Sequence, residues 1–269
     1  MLHITEPVNM YIGAAVSHLA LFASLSMASP SLRVVPNPPP YFALAGDSTT
    51  ATQSVGGGGW GDGFLNTTIP VSEAGGRNFG HNGATTVSFR AGGDWANVLA
   101  AAKAAYKDYD TYVTIQFGHN DQKPAKNISM ELFTNNLVQF VKDVRAIRAT
   151  PILVTPLSRR KFDLEGRVIE SLADVTAATK KAAELTGAVM IDLNARSTKY
   201  LNAIGSDLAH TYNLAPEDNT HLNSGASIVF GSMVAMLIDE AIPKLQKWVK
   251  PVKEVAEKLE KDEFAQVWM

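Results

Sequence analysis

The chain has 269 residues, with 24 basic against 26 acidic side chains and a net charge of −2. Hydrophobic residues at 46% and charged residues at 19% exclude a disordered or fibrous chain, and the balanced charge removes the Lys/Arg excess on which nucleic-acid binding depends. Cysteine is absent, which excludes disulfides, thiolate catalysis, iron–sulfur clusters and cysteine-based zinc sites together.

In chain order, Tyr11–Ala28 (YIGAAVSHLALFASLSMA) is apolar and free of charge apart from His18. At about 18 residues it stands at the lower limit for crossing a bilayer. Ser26-Met27-Ala28 is a small-x-small cleavage pattern, so residues 1–28 read as a secretory signal peptide. The absence of Lys and Arg from residues 1–10 keeps a retained anchor as the alternative. A Pro-rich lead-in covers residues 29–40, and Asn66-Thr67-Thr68 and Asn127-Ile128-Ser129 are glycosylation sequons that fit secretion.

Beyond Pro40 the apolar runs Tyr41–Ala45, Tyr112–Phe117, Ile152–Thr155 and Val189–Ile191 are continuous rather than alternating. Strands buried on both faces read this way, which is the mark of a parallel sheet. A weaker strand is expected near Glu73–Phe79. Helices are expected at Trp95–Tyr106, Met130–Arg148, Ile169–Thr186 (closed by Gly187) and Ser224–Trp248. Alternating strands and helices imply right-handed crossovers and a three-layer α/β/α sandwich, one domain over residues 41–249. In the tail, residues 250–269, Val252, Val255 and Leu259 share one helical face. It reads as a solvated, loosely held terminal helix.

Ligands of open α/β sheets bind where strands end at their carboxyl edge. Gly46-Asp47-Ser48-Thr49 follows the first strand, where a sharp turn can present a serine hydroxyl; a plain polar turn is the competing reading. Thr50 rules out a G-x-S-x-G elbow. Gly56–Gly59 lead into Trp60-Gly61 with no lysine, so they read as a flexible loop and not as a phosphate cradle.

Serine needs a neighbouring base. In Asp218-Asn219-Thr220-His221, a spacing of three on a tight turn lets the carboxylate fold back onto the imidazole. The alternative is a helix cap beside a surface histidine. Phe117-Gly118-His119-Asn120-Asp121 and the loop Asn78–Thr86 could supply donors to an oxyanion, as could the backbone N–H of Ser48. His81, His119 and His210 have no carboxylate spacing that suggests a metal.

Together, GDST around Ser48, NFGHNGATT, GHND around Asn120 and DNTH around His221 resemble the four blocks of the GDSL/SGNH hydrolase superfamily, in its order. LAGDSTTA, GGWGDGF, VTIQFGHNDQ, TPLSRRKF and NTHLNSGA are similar to its rhamnogalacturonan acetylesterase branch. The resemblance implies a flavodoxin-like sandwich with a mainly parallel five-stranded sheet. It implies Ser48 as nucleophile, His221 as base and Asp218 as its orienting partner. The oxyanion hole would come from Ser48, Gly83 and Asn120.

The expected reaction is removal of acetyl groups from pectic rhamnogalacturonan, with no cofactor, no metal and no nucleic-acid partner. A secreted monomer without stable membrane association after cleavage is expected. Arg159 and Arg160, with Lys161 beside them, are candidates to meet uronate carboxylates, against the reading of a solvated basic turn. Trp60 could stack on a sugar or fill the core. The alternatives are a general GDSL lipase or thioesterase acting on longer acyl chains, and a carbohydrate-binding protein that has lost catalysis.

Overall fold

The continuous apolar runs become strands of one sheet. In this computed structural model the described residues are 1–3, 38–70 and 74–267. Asn37–Met269 forms one compact unit; of a second, Met1–Pro36, only the first three residues are described. The expected signal peptide and nearly all of the Pro-rich lead-in therefore lie outside the described residues.

The strands are β1 (Pro40–Gly46), β2 (Gly75–Asn78), β3 (Asp110–Gln116), β4 (Thr150–Val154) and β5 (Val189–Ile191). Their order is β2-β1-β3-β4-β5, and every pairing is parallel, with Ala43 opposite Val113 and Ile115 opposite Leu153. The helices are α1 (Gly61–Thr67), α2 (Thr86–Ala91), α3 (Asp94–Ala105), α4 (Met130–Ala146), α5 (Ala173–Thr186), α6 (Leu193–His210), α7 (Ser224–Ala241) and α8 (Lys253–Glu260).

Successive strand residues point to opposite faces, so a sheet covered on both sides needs apolar residues at every position. Phe42, Leu44, Tyr112, Ile152 and Val154 join one core with side chains of α1, α6, α7 and α8. Ala43, Ala45, Val113, Ile115 and Leu153 join a second core with α2, α3, α4 and α5. The result is the expected three-layer α/β/α sandwich. α7 is apolar almost all round because it is the central helix of its layer, buried from Val229 to Ala235.

Helices α1 and α2 were not expected from the sequence, α5 begins at Ala173 and not at Ile169, and α7 ends at Ala241 and not at Trp248; the structure differs from the sequence expectation in three further places. Within the expected flexible loop Gly56–Gly59, the later glycines are tied into the fold: Gly58 N–H donates to the Ser48 carbonyl at 3.3 Å and Gly59 N–H to that of Ala51 at 2.8 Å. Glycine is required at position 59, where a Cβ would stand 1.9 Å from the Thr49 carbonyl oxygen. The stretch Leu193–His210, assigned no structure from sequence, is α6; its pattern is broken by a non-helical backbone at Gly205.

The third difference is the tail, which is docked and not solvated. Val255 and Leu259 are buried in the first core, each stabilising the fold by roughly 1.5–3 kcal/mol. A ring of hydrogen bonds locks its end: the Ala265 N–H donates to the Tyr200 hydroxyl at 3.0 Å, Tyr200 donates to Tyr212 at 2.7 Å, and Tyr212 donates to the Ala265 carbonyl at 2.5 Å. Arg196 and Lys199 pair with Asp262 at 2.8 and 2.7 Å.

Candidate active site

The site is assembled where the carboxyl ends of β1, β3 and β4 meet the turn before α7. After Gly46 the chain reverses tightly, with the N–H groups of Thr50 and Ala51 both donating to the Asp47 carbonyl at 3.1 Å. A Cβ on Gly46 would lie 2.3 Å from Thr50 Oγ1, so the turn can close this far only on glycine. Asp47 Oδ1 accepts the Thr49 N–H at 2.9 Å, and the Thr50 hydroxyl donates to Gln116 Oε1 at 2.8 Å. Ser48 thus sits on a turn braced from the end of β3.

At the other end of the chain, Asp218 Oδ1 accepts the N–H groups of Thr220 at 3.0 Å and His221 at 2.9 Å. This turn places Asp218 Oδ2 2.8 Å from His221 Nδ1, and His221 Nε2 lies 2.8 Å from Ser48 Oγ. The carboxylate accepts the Nδ1–H, which leaves Nε2 to accept from the serine hydroxyl. Burial alone would raise the Asp218 pKa; the His221 backbone N–H and imidazole outweigh it and hold the carboxyl below its ordinary range. The spacing of three seen in the sequence has this local cause.

Asn120, buried at the end of β3, donates through Nδ2 to the Ala84 carbonyl at 3.0 Å and accepts from Lys123 Nζ at 2.6 Å. Gly83 is exposed on the facing loop with φ +77°, a conformation that favours glycine. Among the described residues, neither the Ser48 nor the Gly83 backbone N–H has a partner within the protein. Asp121 ties the two segments together, accepting from the Thr86 N–H at 2.8 Å and its hydroxyl at 2.7 Å.

Beneath the Ser48 turn, His119 is fully buried with Nδ1 3.7 Å from Asp47 Oδ2. Burial first, and the nearby Arg159 next, push its pKa well below the ordinary value, so it is neutral. Asp47 is pushed up by burial to about 6.

Two expected substrate contacts are corrected. Trp60 is fully buried, its ring 6.1 Å from that of Phe64 and its Nε1–H donating to Gln116 Oε1 at 2.9 Å; the indole is needed as core and brace and cannot stack on a sugar. Arg160 is likewise fully buried and turned onto backbone carbonyls. Arg159 does reach the surface. Its Nη1 donates to Thr220 Oγ1, and with Lys161, Glu217 and Asp218 it lines an open cleft of about 690 Å³. Asp121, Gln116 and the inward turn of Arg160 went unread in the sequence, because each depends on partners tens of residues away.

Comparison with known proteins supplies the family. Residues 44–225 match the model of the GDSL-like Lipase/Acylhydrolase family. The rhamnogalacturonan acetylesterase RhgT of Bacillus subtilis is 31% identical over 215 residues, covering 73% of this chain and 88% of the relative. This chain belongs to the GDSL-like lipase/acylhydrolase family. The new family member is therefore a carboxylic ester hydrolase, and the residues matched by the family span the whole stretch from Ser48 to His221. Among solved structures, the protein YxiM of Bacillus subtilis superposes with a TM-score of 0.64 at 25% identity, covering 77% of this esterase; the esterase spans 57% of that chain. An acetylxylan esterase of Geobacillus stearothermophilus shares the fold, with a TM-score of 0.54 at 17% identity over 77% of this chain and 94% of that one.

Proposed function

We propose that this esterase removes acetyl groups from plant rhamnogalacturonan, with Ser48 as nucleophile, His221 as general base and then acid, and Asp218 as the group that orients the imidazole. The observation that carries the reading is the continuous hydrogen-bonded line from Ser48 Oγ through His221 to Asp218, 2.8 Å at each step. Ser48 Oγ attacks the acetyl carbonyl carbon as its proton passes to His221 Nε2. The bond to the sugar oxygen breaks, and His221 returns the proton to the departing hydroxyl, leaving an acetyl ester on Ser48. Water then loses a proton to His221 and adds to that ester; acetate leaves and the proton returns to Ser48.

The unpartnered N–H groups of Ser48 and Gly83, with the Asn120 amide, would hold the oxygen on which charge develops. Loss of one such donor typically costs about 10²–10³ in turnover. No cofactor enters these steps. The polymer assignment is supported by the likeness to RhgT and by Arg159 and Lys161 in the cleft beside Asp218, where a guanidinium suits a uronate carboxylate. A secreted monomer, without stable membrane association once the leader is removed, fits an extracellular polymer. The sequon residues Asn66 and Asn127 are both exposed, as glycosylation would require.

The test is acetate release from acetylated rhamnogalacturonan, xylan and chitin, together with nitrophenyl esters of increasing acyl length. The reading requires rhamnogalacturonan to be the best polymer and rate to fall beyond short acyls. Preference for long acyl chains would make the protein a lipase or thioesterase instead. Ser48→Ala is expected to lose activity by about 10⁴-fold or more while keeping its fold.

A further inference from the structure

We infer that Arg160 is the positioning residue of the hydrolytic centre: its buried guanidinium clips the Asp218–His221 turn from below and fixes the imidazole against Ser48. The inference rests on the reading of His221 as the base. Arg160 Nη2 donates to the His221 carbonyl at 2.5 Å and to the Asp218 carbonyl at 3.3 Å. One nitrogen thus spans both ends of the turn that carries the carboxylate and the ring. Nε donates to Asn213 Oδ1 at 2.7 Å, and the Asn213 amide in turn donates to Asn219 Oδ1 at 3.0 Å. The Arg160 main chain adds two more ties, its N–H to the Asn219 carbonyl at 2.9 Å and its carbonyl receiving His210 Nε2 at 2.9 Å.

This arrangement costs stability. Arg160 is fully buried, has no carboxylate in salt-bridge contact among the described residues, and leaves Nη1 without a partner. A buried charge hydrogen-bonded only to carbonyl oxygens, with the Asp218 carboxylate attracting it at longer range, is an expensive way to stabilise a fold, and an apolar residue of similar volume would often serve better. What the planar fork supplies, and neither an apolar chain nor an ammonium can, is two fixed N–H directions aimed at carbonyls at the two ends of one tight turn. Burial lowers the proton affinity of the group to about 9, so it remains cationic at neutral pH.

The test compares Arg160→Lys and Arg160→Ala with the parent on nitrophenyl acetate, with near-UV circular dichroism to establish the fold. Lysine keeps the charge but not the fork. A displaced base costs turnover and not small-ester binding, so kcat is expected to fall about tenfold or more for Arg160→Lys and roughly 10²-fold for Arg160→Ala, with KM within about twofold. Guanidinium ion at sub-denaturing concentration is expected to restore Arg160→Ala saturably, and ammonium is not. Should Arg160→Ala fail to fold, Arg160→Lys carries the test alone. A kcat for folded Arg160→Lys within about threefold of the parent, a loss confined to KM, or a loss in folded Arg160→Ala that guanidinium leaves untouched, would each overturn the inference. Ser48→Ala, assayed in parallel, separates the two levels. If it retains the parent rate, the nucleophile reading has failed; if it is inactive while Arg160→Lys is not, only the role of Arg160 has failed.

Discussion

Asp47, next to Ser48 in the chain, and Asp218, which reaches it through His221, have pKa values shifted in opposite senses. The Asp218 pKa is depressed in the folded protein, so its stabilising contribution is complete above the unfolded carboxylate value of about 3.9 and is lost as pH falls through the lower folded value. Asp47, raised by burial to about 6, does the reverse: between about 4 and 6 the folded state binds a proton that the unfolded state releases, so this carboxylate costs stability as pH rises through that window. Asp47→Asn is therefore expected to melt above the parent at pH 7, with the difference closing below about pH 4. A difference that persists unchanged under acid would contradict that assignment. Asp218→Asn should keep the turn's shape but favour the wrong imidazole tautomer, with the proton on Nε2, lowering kcat by about 10²–10⁴-fold; activity within tenfold would deny the carboxylate its role. The spacing of Asp218 and His221 was legible in the sequence because the turn that joins them is local. Arg160 was misread because nothing in SRRKF says which arginine points inward.

At the scale of elements, the strands were legible because a sheet covered on both faces leaves an unmistakable run of apolar residues. Val189–Ile191 matches its expected bounds, and the others agree to within two residues at each end. Helices were less so. α6 carries Asn194, Ser197, Asn202 and a break at Gly205, so its periodicity is broken in the middle. The tail has a clear apolar face, but its docking depends on Tyr200 and Tyr212, which lie more than fifty positions earlier. Leu259→Ala is expected to cost about 2–5 kcal/mol in chemical denaturation. A loss under about 0.5 kcal/mol would mean that the tail is held as loosely as its charged sequence suggested.

For the whole molecule, the sheet is a frame that brings distant segments to one edge. Ser48 arrives from β1, Asn120 from β3, Arg159 and Arg160 from β4, and His221 from the turn before α7. Short blocks at strand ends therefore sufficed to expose the candidate site, whereas the cleft proposed for the polymer is completed by Ser171, Ala215 and Glu217, which lie outside those blocks. Arg159→Gln is expected to raise KM for acetylated rhamnogalacturonan about tenfold, and that for nitrophenyl acetate far less. Equal effects on both would place Arg159 outside polymer recognition. If catalysis passes through an ester on Ser48, rapid-quench mass spectrometry during turnover of nitrophenyl acetate will find one acetyl group on the peptide containing Ser48, absent from Ser48→Ala; an acetyl group found only on another residue would rule out Ser48 as the nucleophile.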